Sequence, residues 1–479
     1  MMRCASGRSL SASARTATMI APVGGECPDA IAPRHKDANR TRANWTRNGH
    51  PEGRLTRCNR AKNYPGPQGR RTEWEKGRLR MSCRHYLVPM LAAAALWPLT
   101  AGAADNIKIG FPIPLSGPTA VYGKPVLAGA ELAVQELNAK GGVLGRKFEL
   151  LSRDSKASAD EAVRLAREMI IKDSVDFLAG TLTSAEAPAV STVAKENKIV
   201  FVAPTSKSTI LTDEKHIHPY IFRVASNTDV EGLAGATLMA RWKEVKKVAT
   251  IAPDYAYGRD SIAGFIEALK KQRPDIQIVD QQWPKLGEAD FTPFITAQMS
   301  TQPDAVYCSL FAGDFVTFTK SATPRGYFKA INNRMVDPAE IGTPDLAQAL
   351  GDDYPYGVIG DAYDPVIWHG TEPPEHKKFI DDLKKFTNSQ YGSGWSIVGY
   401  QAIYALAEGI KKAGNTKSDA VSKAMLGMSF DTPVGKRSFS EKSHETFAPE
   451  YWGVMVKDPN HPFAIMKDPE LLPASFPTY

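Results

Sequence analysis

Hydroxyl-bearing and aromatic side chains recur in one kind of place in this sequence: short polar loops that follow apolar, strand-like runs. Tyr122 closes the loop 112–123, which is rich in Pro, Ser and Gly. Ser184 lies in 181–186, and Thr205, Ser206 and Lys207 open 205–209. Tyr257 lies in 252–258, and Phe311 opens 311–314. Serine and threonine at such positions cap helices or hold a ligand, and the two roles are compatible. The tyrosines read either as half-buried residues at a cleft edge or as ligand contacts. No motif points to bond-breaking chemistry: GxSxG, HExxH, the P-loop and GxGxxG are all missing. Cys308 sits in the apolar run 305–310 and reads as a small buried hydrophobe. With no CxxC or Cys/His zinc spacing, neither a metal nor a cofactor is indicated. His216 and His218 read as solvent-facing, Lys377, Lys378, Lys384 and Lys385 as a solvated helix face, and Trp368 and Trp395 as core or cleft-lid residues.

The elements that must carry these loops alternate. Residues 107–111 form a strand, and apolar residues at helical spacing from Val126 to Leu137 predict a helix opening at Pro125, where a missing N–H costs nothing. Gly141 and Gly142 end that helix, and 147–151 is the next strand. A strand–helix–strand unit of this length is right-handed and implies a parallel sheet. Ligands in such sheets bind beyond the carboxyl ends of the strands, where 112–123 falls. Strands at 175–179 and 199–203 continue the pattern. After 222–226 it restarts, with strands at 247–251, 276–282 and 305–310. The expected fold is α/β, with two Rossmann-like lobes and a cleft between them.

Charge and cysteine are unevenly spread. The net charge is +7, yet residues 1–80 hold 17 Lys+Arg against 6 Asp+Glu, 81–104 add one arginine, and 105–479 is left at −5. A nucleic-acid partner is therefore not indicated. Residues 1–80 lack apolar periodicity and read as a disordered basic extension; the favoured reading is that translation starts at Met81. From Met81, Arg84, an apolar core at 87–99 and small residues at 100–104 make a signal peptide cleaved after Ala103 or Ala104, with an uncleaved anchor as the alternative. The mature chain is expected in the periplasm.

Four stretches resemble one known family, the periplasmic branched-chain amino-acid-binding proteins of ABC importers, with their type I binding-protein fold. They are Pro114-Leu115-Ser116-Gly117 with Tyr122-Gly123 and 138–145; 180–187 followed by 202–206; 254–258; and Thr432-Pro433-Val434-Gly435. The resemblance spans 105–479.

It implies lobes joined by three hinge crossovers near Ser226, Asp361 and Thr432, with lobe one 105–226 plus 362–432 and lobe two 227–361 plus 433–479. It also implies that Tyr122 lines the cleft, that Ser184, Thr205 and Ser206 hold a ligand carboxylate, and that Tyr257 closes from lobe two with Phe311 near it. Free N–H groups before a helix favour an anion. Glu340 is the candidate for a ligand ammonium and Asp337 a weaker one. Lys207 stands where the family usually has threonine, either to bind a second carboxylate or to face solvent. The implied function is non-enzymatic delivery of an amino acid, or a related small carboxylate or amide, to an inner-membrane permease by a monomer. A periplasmic sensor of the same fold is the alternative.

Overall fold

Strand β1 (Ile107–Ile113) is buried along almost its whole length, and parallel neighbours flank it on both sides. Together with β2 (Phe148–Asp154), β3 (Phe177–Ala179), β4 (Phe201–Ala203) and β5 (Ile221–Arg223) it forms an all-parallel sheet ordered β2-β1-β3-β4-β5. Helices α1 (Ala120–Ala139), α2 (Ala159–Ile171) and α3 (Glu186–Asn197) connect these strands. The computed structural model describes residues 105–368 and 372–473. The extension 1–80 and the signal peptide 81–104 lie outside the described residues.

The second half repeats the scheme. Helix α4 (Thr228–Met239) leads into β6 (Lys247–Ile251), α5 (Ala256–Gln272), β7 (Gln277–Gln282), α6 (Thr292–Thr301) and β8 (Ala305–Cys308). Then come α7 (Ala312–Ala322), α8 (Tyr327–Ala330), β9 (Met335–Asp337), α9 (Pro344–Leu350) and β10 (Ile359–Ala362). Helices α10 (Pro374–Thr387), α11 (Ser396–Ala413) and α12 (Ser418–Met425) precede a hairpin of β11 (Ser429–Thr432) and β12 (Gly435–Ser438). Strands β13 (Glu450–Val456) and β14 (Ile465–Leu472) add antiparallel to the second sheet, ordered β14-β13-β10-β9-β8-β6-β7. The fold is α/β, with two Rossmann-like lobes.

Helix α1 begins at Ala120, not at Pro125, because the Thr119 carbonyl already accepts from the N–H groups of Tyr122 and Gly123. Tyr122 therefore stands on the first helical turn rather than in a loop. Helices α1 and α11 meet through glycines on both sides. A Cβ on Gly129 would lie 1.8 Å from the Ser396 carbonyl oxygen, and one on Gly399 would lie 1.9 Å from that of Val126. Only glycine permits so close an approach.

The chain leaves the first sheet after β5 and enters the second at β6, returns after β10 to helix α11, which packs on α1, and rejoins the second sheet at β13. The last crossing was expected near Thr432, which instead ends strand β11 of the hairpin. That hairpin folds back on the first lobe: Phe439 meets Phe222 at 5.3 Å and Phe430 at 5.6 Å between ring centroids. The chain then pairs with β5, where the Arg223 N–H donates to His444 O and the Thr446 N–H to Arg223 O, before β13 begins at Glu450.

Candidate functional site

Ahead of α3 the sequence Thr183-Ser184-Ala185-Glu186 makes a reciprocal capping pair. The Thr183 N–H and hydroxyl both donate to Glu186 Oε2 at 2.9 Å, and the Glu186 N–H donates back to Thr183 Oγ1 at 3.3 Å. Burial pushes the Glu186 carboxyl up from its ordinary range. Among the described residues the N–H groups of Ser184 and Ala185, next on this turn, have no protein acceptor. Ser184 Oγ accepts from the Ser208 N–H at 3.1 Å and the Ser206 hydroxyl at 3.4 Å, which leaves its own proton to donate. The Thr205 hydroxyl donates to Leu182 O at 2.8 Å and ties the β4 loop to the β3 loop. Arg223 fixes the same loop from behind. Its guanidinium donates to Ser206 O at 3.1 Å and Ser208 O at 2.7 Å, while Glu445, beside the third crossing, pairs with it.

A small cavity of about 30 Å³ lies between the sheets, well below the roughly 300–1,000 Å³ usual for ligand sites. From the first lobe Ser184, Thr205, Lys207 and Trp395 line it; from the second, Tyr255, Tyr257, Phe311 and Glu340 do. The aromatic rings make one connected wall. Trp395 stacks on Tyr122 at 3.9 Å and 19°, and Tyr257 meets Phe311 edge-on at 5.9 Å.

Three expected contacts stand elsewhere. Tyr122 does not line the cavity: its ring is fully buried behind Trp395, and its hydroxyl donates to Ala339 O at 3.3 Å. Ser206 spends its hydroxyl on Ser184. Asp337 is buried in β9 and accepts from the Ala339 N–H at 2.9 Å. His218, expected in solvent, is buried with its Nε2 2.8 Å from Ser191 Oγ, whereas His216 is exposed beside Asp213. Cys308 is fully buried, as a small hydrophobe should be.

Lys207 does not face solvent. It is buried beneath the cavity, and its Nζ lies among Glu231 of α4, Glu340 after β9, Asp361 of β10 and Glu450 of β13. The Glu450 oxygen is 2.8 Å away and that of Asp361 is 3.7 Å; Glu231 and Glu340 are in direct contact. The Tyr363 ring covers the ammonium at 4.5 Å. The four carboxylates lie within 4.8 Å of one another, and the lysine supplies the cation they share. Burial alone would push the Lys207 ammonium down, but Glu231, Glu340 and Glu450 hold it well above its ordinary range. Burial pushes the Glu231, Glu340 and Asp361 carboxyls well up, and Lys207 works against that rise. Glu340 adopts a left-handed backbone, φ 54°, with its N–H held by Asp361 Oδ1 at 2.5 Å.

Spacing alone did not single out Tyr255, Glu231 or Glu450. A signal existed for Glu231, which directly precedes the largely apolar run 232–239. Trp395, which the sequence places in either core or cleft, lines the cavity from the residue before α11.

Known proteins share this architecture. A profile of the family described as "Periplasmic binding protein" matches residues 106–460. The chain is 26% identical over 372 residues to a leucine-, isoleucine-, valine-, threonine-, and alanine-binding protein of Pseudomonas aeruginosa, covering 77% of this chain and 94% of that one. It is 29% identical over 370 residues to the Leu/Ile/Val-binding protein BraC3 of Rhizobium johnstonii, covering 75% and 94%. Among solved structures, an ABC-transporter solute-binding protein from Rhodopseudomonas palustris BisB5, in complex with 3,4-dihydroxybenzoic acid, superposes with a TM-score of 0.67 at 25% identity, covering 76% and 97%. The matched span takes in both sheets from β1 to β13, and on that ground this chain belongs to the periplasmic binding protein family, whose members hold a substrate without transforming it.

Proposed function

We propose that the mature chain is the substrate-binding component of an ABC importer, taking a small carboxylate-bearing solute into the cleft and presenting it to an inner-membrane permease. One observation carries this reading: the turn ahead of α3 offers the Ser184 hydroxyl and the Ser184 N–H to a small cavity whose opposite side is aromatic. An anion fits the first, because N–H groups at a helix start attract negative charge. An apolar body fits the second. The relatives' names span aliphatic amino acids, and one solved structure holds an aromatic acid; both ligand types carry a carboxylate.

Cleft closure is a hinge motion of the two lobes about the three crossings. Lobe one comprises 105–226 with 372–446, and lobe two 227–362 with 447–473. The protein acts as a monomer in the periplasm, after removal of its signal peptide near Ala103 or Ala104.

Thermal-shift screening of mature 105–479 against amino acids, aromatic acids and amides tests the reading. A true ligand at a hundredfold excess over Kd stabilises by about 2.7 kcal/mol. A screen in which no carboxylate raises the melting temperature would end it. Mass spectrometry of the exported chain checks the cleavage site.

A further inference from the structure

We infer that Lys207 determines specificity by occupying Glu340, the only acid among the described residues of the cavity wall, so that the ligand is a monocarboxylate on an apolar or aromatic body with no ammonium group. This rests on the carboxylate-binding reading above and narrows it. A zwitterionic ligand needs two things from its site: donors for its carboxylate and an acceptor, preferably charged, for its ammonium. The donors are present at Ser184, which lines the cavity with its hydroxyl and its unpartnered N–H. The acceptor is not free. Among the described residues lining the cavity, Glu340 is the only acid, and its Oε1 is already held by Lys207.

The lysine cannot be spared for another partner. An ammonium has three donors, and those of Lys207 face Glu340, Glu231 and Glu450. Losing it would strand four buried carboxylates. The surplus of negative charge below the cavity does not supply a second ammonium site, because Glu231, Asp361 and Glu450 do not line the cavity. A ligand ammonium would lose its water and meet Lys207 as a like charge at the same carboxylate. Lys207 itself does not bind the ligand carboxylate, since its donors are used; that group goes to the start of α3.

Pairs of ligands matched in carbon skeleton and differing only in the α-ammonium test this in the mature protein by titration calorimetry. Suitable pairs are phenylacetate with L-phenylglycine, 3-phenylpropanoate with L-phenylalanine, and 4-methylpentanoate with L-leucine. The acid lacking the ammonium is expected to bind at least about tenfold tighter in every pair that binds. Equal affinity, or preference for the amino acid, would overturn the inference and leave the carboxylate-binding reading in place. Failure of both members of all three pairs would remove that reading and this one with it. The double variant Lys207→Thr with Glu231→Gln frees Glu340 while removing one of the stranded charges. Its preference should move towards the amino acid by about tenfold or more; an unchanged ratio in a folded double variant would count against Lys207. If that variant does not fold, the wild-type pairs still decide.

Discussion

Ser184 combines two tasks in one side chain. Its oxygen accepts from the β4 loop, so the hydroxyl is fixed in place, and its remaining proton is available to a ligand oxygen. Ser184→Ala should therefore weaken ligand binding about tenfold, the order expected when a hydrogen bond to a charged group is lost. Titration of the variant with whichever carboxylate the wild type binds checks this, with the melting temperature of the free protein within a few degrees of wild type. Affinity equal to wild type would show that the carboxylate sits elsewhere. At this scale the sequence was informative about residue types and positions but not about partners. Six residues chosen from it line the cavity: Ser184, Thr205, Lys207, Tyr257, Phe311 and Glu340. The fate of Lys207 could not be read, because its partners come from four separate segments and only the folded chain assembles them.

The elements explain why the aromatic wall stands where it does. Trp395 immediately precedes α11, and α11 is held against α1 by the glycine contacts at 129 and 399. A methyl group on Gly399 would have to displace the Val126 carbonyl. Gly399→Ala is thus expected to cost about 1–3 kcal/mol through overpacking, visible as a lower urea midpoint. It should also weaken aromatic ligands, because Tyr122 and Trp395 can no longer stack at their present spacing. A variant as stable as wild type would mean the helices yield freely. Strand and helix order were legible from hydrophobic periodicity, since buried parallel strands such as 107–113 and 305–308 are nearly all apolar. Boundaries were less so. The start of α1 depends on the Thr119 carbonyl, and the place of Thr432 depends on Phe439 meeting both Phe222 and Phe430. Neither contact leaves a trace in local spacing.

For the whole molecule, stability depends on pH through buried groups pulling in opposite directions. Burial raises the Asp345 carboxyl, on α9, to about 6. A group raised in this way contributes stability that is fully present below its unfolded value near 3.8 and is lost as pH rises through about 6. His218 acts oppositely. Burial holds it down to about 4, so its contribution is lost as pH falls from its ordinary value near 6.5 towards 4. The curve of the intact chain sums both, and a variant separates them. Relative to Asp345→Asn, wild type should gain about 2 kcal/mol between pH 7.5 and pH 4.5, measured by urea unfolding at each pH. A difference that does not change with pH would mean that Asp345 titrates normally.

The three crossings have one more effect, which concerns time. Helix α1 is complete early in the chain, but the helix it packs against is α11, and the Tyr400 hydroxyl bonds the Glu136 carboxylate across a separation of 264 residues. The first lobe cannot close its core until nearly the whole chain exists. Contacts of such long range make folding slow. A chain whose leading half must wait for its trailing half carries an unfinished first lobe for most of the time it takes to be made.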